Sequence, residues 1–199
     1  RDKILKTKTI GGSSLVLEVE NILLEFTEIK QGLVSSVGFL STKELDALEK
    51  RLPLTILNSG LKLPFKVHYE TPNTLGSDRL ALMAAAATQY PWQNVLVIDA
   101  GSCITYDFVD SQKNYLGGAI APGIQMRYKS LSEFTSSLPS LQKKIPKHPI
   151  GNTTNNSIHS GIVHGLLYEI EGTVREYQNN YSDLTVILTG GDADFLCKQ

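Results

Sequence analysis

Three apolar runs in close succession, NVLVIDAG, SCITYDFVD and NYLGGAIAPG, constrain the fold of this chain more than any other stretch. Each is strand-length and rich in β-branched and aromatic residues, and the five-residue polar stretch DSQKN between the last two has room for a hairpin and none for a crossover helix. The spacing therefore predicts an antiparallel meander in the middle of the chain, over residues 94–123. Elsewhere helical and strand patterns alternate. SSLVLEVENILLEF (13–26) has apolar residues three and four apart and reads as a helix; GLVSSVGF (32–39) reads as a strand. STKELDALEKRL opens with Ser41 three residues before Glu44, a capping-box spacing, and ends at Pro53, before the short strand LTILNSG (54–60). The alternation favours layered α/β architecture.

Further along, a Pro- and Asn-containing loop passes into an Ala-rich helix beginning near Ser77 or Asp78, and PWQN reads as a joint. GIQMRYKSLSEFTSSL reads as a helix and SLQKKIPKHPIGN as a polar connection. A long helix is expected over 154–179, with Thr154 as its N-cap and Ile158, Ile162, Leu166, Ile170 and Val174 forming a core stripe. LTVILTGGDADFL then supplies a buried strand, a glycine turn and the start of another helix.

With 199 residues the chain can form one large domain or two small lobes sharing a cleft. A net charge of −1 provides no cationic excess for tracking a nucleic-acid backbone. No apolar run approaches bilayer length, and RDKILKTKTIGG lacks a signal-peptide core, so the expected location is cytoplasmic, without membrane or nucleic-acid partners. Cys103 and Cys197 form no CxxC pair and read as small apolar fillers. His159 and His164, five apart, fall on different helix faces, against a shared metal. No Walker A sequence and no GxSxG occurs.

Four stretches carry possible chemistry, each with an ordinary alternative. In DAGS, an acid at a strand end is followed by Gly101 and Ser102, whose backbone freedom and donors suit a phosphate; Asp99 would then hold a cation or a water, since two anions repel. The alternative is a hairpin turn in which Asp99 caps local amides. LTGG places Gly190 and Gly191 between a strand and a helix, where free amides favour an anion, or simply make a turn. GSDR sets Asp78 beside Arg79, as a hydroxyl-proton acceptor with an anion-holding guanidinium, or as an N-cap followed by a solvated Arg. GNTTNNSI offers Thr154 for capping or ligand contact.

In their order, HYETPNTLGSDRLA, VLVIDAGSCITYDF, LGGAIAPG, GNTTNNSIHSGI and VILTGGDA resemble the type III pantothenate kinases, within the acetate and sugar kinase, Hsc70 and actin superfamily. The resemblance runs from about Leu63 to Phe195. It implies a two-lobed, actin-like ATPase fold of ribonuclease H-like type, here divided into an incomplete N-terminal lobe (1–91) and a nucleotide- and substrate-binding lobe (92–199). It also implies ATP-dependent phosphorylation of pantothenate, the first step towards coenzyme A, by a homodimer using Mg²⁺ and a monovalent cation, K⁺ or NH₄⁺. By position, Asp78 becomes the catalytic proton acceptor, and Tyr69, Gly76, Ser77, Arg79 and Thr154 the substrate contacts, with Thr153 as the neighbouring option for the last. Asp99 becomes the cation ligand; Gly101, Ser102, Gly190 and Gly191 become nucleotide contacts.

Two departures follow. Ser102 stands where the family has threonine, and nothing in RDKILKTKTIGGSS matches the family's first phosphate-loop strand. The expectation is that this strand and the helices following LTGG lie outside the present sequence. A non-catalytic accessory relative, or a kinase for another small hydroxylated substrate, are the alternative readings.

Overall fold

The computed structural model describes residues 4–10, 14–36, 38 and 40–198. The first part alternates as the patterns require: α1 (Leu15–Glu25), β1 (Gly32–Val34), α2 (Thr42–Glu49) and β2 (Leu54–Ile56), with β1 and β2 paired in parallel. Residue 13 of the expected first helix, and 37 and 39 of the expected first strand, lie outside the described residues, and β1 itself ends at Val34. The start of α2 is set by the expected capping box: Ser41 Oγ accepts the Glu44 N–H at 3.3 Å while the Glu44 carboxylate accepts the Ser41 N–H at 3.0 Å.

The core element is a five-stranded sheet in the order β3 (Lys66–Val67), β6 (Asn114–Pro122), β5 (Cys103–Val109), β4 (Asn94–Ala100), β7 (Leu184–Thr189). β4, β5 and β6 form the predicted antiparallel meander, and β7 returns parallel to β4. The β5–β6 hairpin closes because Asp110 Oδ1 accepts the N–H groups of Gln112 and Asn114 at 2.9 and 2.8 Å, with Lys113 left-handed at φ 62°.

Strand periodicity gives the sheet two different faces. Leu96, Ile98, Ala100, Ile104, Tyr106 and Phe108 point to one side and pack with α4 (Ile124–Phe134) and α5 (Thr154–Asn180). Ile158, Ile162 and Leu166 are buried there, and Ile170 and Val174 pack at its margin, as the four-residue stripe requires. Val95, Val97, Val109 and Tyr115 point the other way and pack with α3 (Ser77–Gln89) through Leu80, Met83, Ala86 and Ala87. The small side chains of α3 let this helix lie close on the strands.

Three expectations are corrected. Thr153, not Thr154, caps α5: its side chain accepts the Asn156 N–H at 3.2 Å, because an N-cap must keep extended dihedrals while Thr154 is already helical. β7 is a half-buried edge strand rather than a buried one, since among the described residues only β4 flanks it. Both cysteines are exposed instead of filling core. No helix among the described residues is long and apolar enough to cross a membrane.

Candidate active site

The α3 face of the sheet carries the carboxylates. Asp99 and Asp107 sit an even number of residues apart through the β4–β5 turn: Asp99 pairs with Thr105, and Val97 with Asp107, so both acids and Thr105 share the face on which α3 lies. The first turn of α3 brings Asp78 and Arg79 over them. Asp78 is half-buried, and its Oδ1 accepts the Arg79 N–H at 2.8 Å; Gly76, with no side chain to cap, occupies the N-cap position that the ordinary reading gave to Asp78. Ser77 is buried, its hydroxyl donating to the Ser36 carbonyl at 3.1 Å and accepting from Ser35 at the same distance, which ties the helix start to the chain after β1.

Arg79 is not a solvated side chain. It is 6% exposed and lies against the fully buried Asp107, with Nε 2.9 Å from Oδ1 and Nη2 2.7 Å from the same oxygen. The Nη2 contact lacks hydrogen-bond alignment, which leaves that buried nitrogen without a directed acceptor. Burial favours loss of the Arg79 proton, but the Asp107 hydrogen bond and charge outweigh it and push the guanidinium upward, so it stays cationic. Tyr69 completes the group, its ring 5.8 Å from the guanidinium carbon.

Asp99 is pushed upward from the ordinary carboxylate range, first by burial and then by the charges of Asp78 and Asp107. Three acids against one guanidinium make the cluster net acidic, a site that favours a cation. The Asp99 carboxylate and the buried Thr105 hydroxyl, which has no hydrogen-bond partner among the described residues, are oxygen donors of the type a hard cation takes. The fit is therefore chemically sound.

The two glycine turns close around the end of β4. Gly190 is left-handed at φ 96°, and a Cβ there would stand 2.4 Å from Asp99 Oδ1 and 2.5 Å from the Ala100 carbonyl oxygen, so only glycine allows this approach. The Asp192 N–H donates to the Ala100 carbonyl at 2.9 Å, lacing the LTGG turn to the DAGS turn. On the other side the Gly123 N–H donates to the Ser102 carbonyl at 3.2 Å, and a Cβ on Gly123 would sit 2.3 Å from that oxygen. Gly101 is half-buried, while Ser102, Gly190 and Gly191 are exposed.

The structure thus gathers Tyr69, Gly76, Ser77, Asp78, Arg79, Asp99 and the glycine turns into one neighbourhood. Thr154 stands apart. It is exposed and lines a cavity of about 1070 Å³ between α4 and α5, with Arg127, Leu131, Ser157 and Gly161, and none of the three acids borders that cavity. Sequence reasoning missed Asp107, Tyr115, Thr105 and Gly123. A signal existed for Asp107: an acid inside an apolar strand, eight residues after Asp99, which the pairing of Ala100 with Ile104 across the three residues 101–103 brings into phase with it.

Comparison with known proteins identifies the family of this chain. The sequence model of the type III pantothenate kinase family matches residues 4–176. The chain is 46% identical over 187 residues to the type III pantothenate kinase of Flavobacterium johnsoniae, covering 94% of this chain and 77% of that protein. It is 48% identical over 177 residues to that of Christiangramia forsetii, covering 89% and 73%. Among solved structures, a protein of Campylobacter jejuni described as a conserved Baf family transcriptional activator superposes with a TM-score of 0.57 at 24% identity, over 90% of this chain and 76% of that one, a likeness of fold alone. The fold is mixed α/β with a carboxylate cluster at glycine turns, and the family that the sequence matches is one of kinases. This chain belongs to the type III pantothenate kinase family.

Proposed function

We infer that this protein is a pantothenate kinase, transferring the terminal phosphoryl group of ATP to the primary hydroxyl of pantothenate at the head of coenzyme A synthesis. Family membership over most of the chain carries the reading. The geometry supplies the chemistry. Asp78 is the half-buried carboxylate at the start of α3 and takes the hydroxyl proton as the P–O bond forms, while ADP leaves with the electrons of the bond broken. Phosphoryl transfer has a loose transition state, so most of the rate comes from holding hydroxyl, phosphate and cations in line.

The negative cluster accounts for the cofactors in this reading. A polyanionic nucleotide cannot approach three carboxylates held against one guanidinium without added positive charge. Asp99, with Thr105 beside it in register, would hold a monovalent cation, K⁺ or NH₄⁺, and Mg²⁺ would arrive on the nucleotide phosphates. Bound there, these cations neutralise phosphate charge. Gly101, Ser102, Gly190 and Gly191 line the turns on which the nucleotide would lie, and Tyr69, Gly76, Ser77 and Arg79 the acceptor pocket.

The two-lobed, actin-like arrangement belongs to the same reading, with lobes at 1–91 and 92–199. It is supported by the order β6-β5-β4-β7, an antiparallel meander whose first strand pairs in parallel with a fourth, which is half of a ribonuclease H-like pattern. β3 and α3, from the first lobe, pack onto that sheet. A homodimer is supported by apolar side chains left in solvent on β6, α4 and α5: Ile120 at 63%, Phe134 at 84% and Tyr168 at 63% exposure. Thr154, on the same helix, borders a cavity apart from the three acids, so any contact that it makes with pantothenate in this reading would be away from the reacting hydroxyl.

The test is coupled measurement of ADP release and phosphopantothenate formation by the full-length protein, with and without K⁺. Wild type is expected to be active and K⁺-dependent. Asp78→Asn is expected to lose about 10²–10⁴-fold in kcat with an unchanged melting temperature. An inert wild type, or an equally active variant, sinks the proposal.

A further inference from the structure

Asp107 and Tyr115 lie behind the pocket, and neither is among the residues that the family pattern assigns to it. Asp107 is 0% exposed, as is Tyr115. The Tyr115 hydroxyl donates to Asp107 Oδ1 at 2.7 Å, the oxygen that also receives Arg79 Nε at 2.9 Å; Oδ2 lies 3.2 Å from the same nitrogen. The carboxylate is thus gripped from two sides, by a helix residue and by a strand residue. The Tyr115 ring continues the assembly forward, lying 6.3 Å from the Tyr69 ring at 26°. Tyr69 in turn rests on bare backbone: a Cβ on Gly117, at φ 96°, would come within 3.3 Å of its Cδ2 and Cε2. Arg79, Tyr115 and Gly117 together leave the Tyr69 ring one seat.

A buried ion pair contributes little net stability, because desolvation consumes most of the attraction, and an apolar pair of similar volume often serves as well. Stability therefore does not explain why this strand carries an acid. Placement does. A guanidinium held by a carboxylate that is itself fixed loses the rotational freedom of a long side chain. Asp107 also cancels the Arg79 charge, so Arg79 offers directed N–H groups and a flat face rather than a free positive field. Recognition by such a group depends on its position to within a fraction of an ångström.

We propose that Asp107, locked by Tyr115, is the positioning residue that sets Arg79, and through it Tyr69, for recognition of pantothenate. The proposal rests on the pantothenate kinase reading for its substrate, and on geometry alone for the placement of Arg79. Two measurements separate these. The first is steady-state kinetics on the full-length protein. Tyr115→Phe keeps the ring and removes one hydrogen bond to a charged group; KM for pantothenate is expected to rise about tenfold while KM for ATP stays within about twofold. Asp107→Asn is expected to act in the same direction and further. The second needs no substrate: the Arg79 Nε–H resonance in ¹⁵N-labelled protein is expected to be resolved and slow to exchange in wild type, and to exchange faster in Tyr115→Phe.

Should Asp107→Asn not fold, Tyr115→Phe decides alone. Unchanged pantothenate KM in Tyr115→Phe, equal rises in both KM values, or an unprotected Arg79 Nε–H in wild type overturns the proposal. If wild type does not phosphorylate pantothenate but Arg79 Nε–H loses protection in the variant, the substrate reading falls and the positioning role stands.

Discussion

The two faces of the five-stranded sheet are made from the same strands and differ in what they are built to do. Towards α4 and α5, β4 and β5 present Leu96, Ile98, Ile104 and Phe108, an apolar surface whose partners are also apolar. Towards α3, one residue out of phase, they present Val95 and Val97 and then Asp99, Thr105 and Asp107. The carboxylates sit on the face that is covered by the small-residue helix α3, at the end where the apolar contacts stop. The difference teaches that one strand can serve core and site together, because alternation keeps its two sets of side chains physically separate.

That contrast is broken most severely on the polar face. Asp99→Asn is expected to lower kcat by about a thousandfold, through loss of a cation ligand. Its effect on stability should have the opposite sign. The Asp99 carboxyl is raised in the fold by burial and by Asp78 and Asp107, so the folded state disfavours its ionised form, and stability falls as pH climbs from the unfolded value near 3.8 through the raised folded value. At neutral pH and without K⁺ the amide removes that penalty, and melting should occur at the same temperature or higher. A clear fall in melting temperature would show that Asp99 is structural rather than poised against its neighbours.

On the other face the signs reverse. Leu166, fully buried between α5 and the sheet, is expected to cost about 3 kcal/mol when truncated to Ala, read by urea denaturation, with KM for both substrates unchanged in the folded protein. A shifted KM would mean that the faces are coupled. The smallest effect is expected at His159, which is buried on this side and bonded through Nδ1 to the Tyr128 hydroxyl at 2.7 Å. Burial, assisted by Lys144, holds its imidazole below the usual value of 6.5. The unfolded chain therefore takes up this proton first, and the contribution of His159 to stability is lost as pH falls below about 6.5. Melting temperatures between pH 7.5 and 5.5 should decline less in His159→Gln than in wild type by a degree or two; identical slopes would remove His159 from the acid limb.

Much of the architecture was legible without coordinates. Hydrophobic alternation and the five-residue polar gap specified the meander, Ser41 and Glu44 specified the start of α2, and the stripe from Ile158 to Val174 specified the buried side of α5. These features are local, each decided by residues within a turn or a strand of one another. Thr153 and Thr154 show the limit of such reading: both residues can cap, and only backbone dihedrals choose between them. The exposed cysteines show another, since burial depends on what the rest of the chain brings over a side chain.

The candidate site divides along the same line. Strand-end Asp99 with its glycine, the glycine pair and the GSDR turn could be picked out by residue type and spacing. Their conjunction could not. Arg79 meets Asp107 across 28 positions of sequence, and Gly190 meets Asp99 across a whole crossover, so the ion pair, the charge imbalance and the backbone approach exist only once the sheet has formed. Sequence alone determined most of the strands and helices, though not the two-residue β3, and the apolar side chains that share a face within each, because periodicity is a property of neighbours. Tertiary structure alone decided that Arg79 is buried and neutralised, that Asp107 and Tyr115 hold it, and that Thr154 lies on a different cavity, because electrostatics and packing act between atoms that the chain brings together from afar.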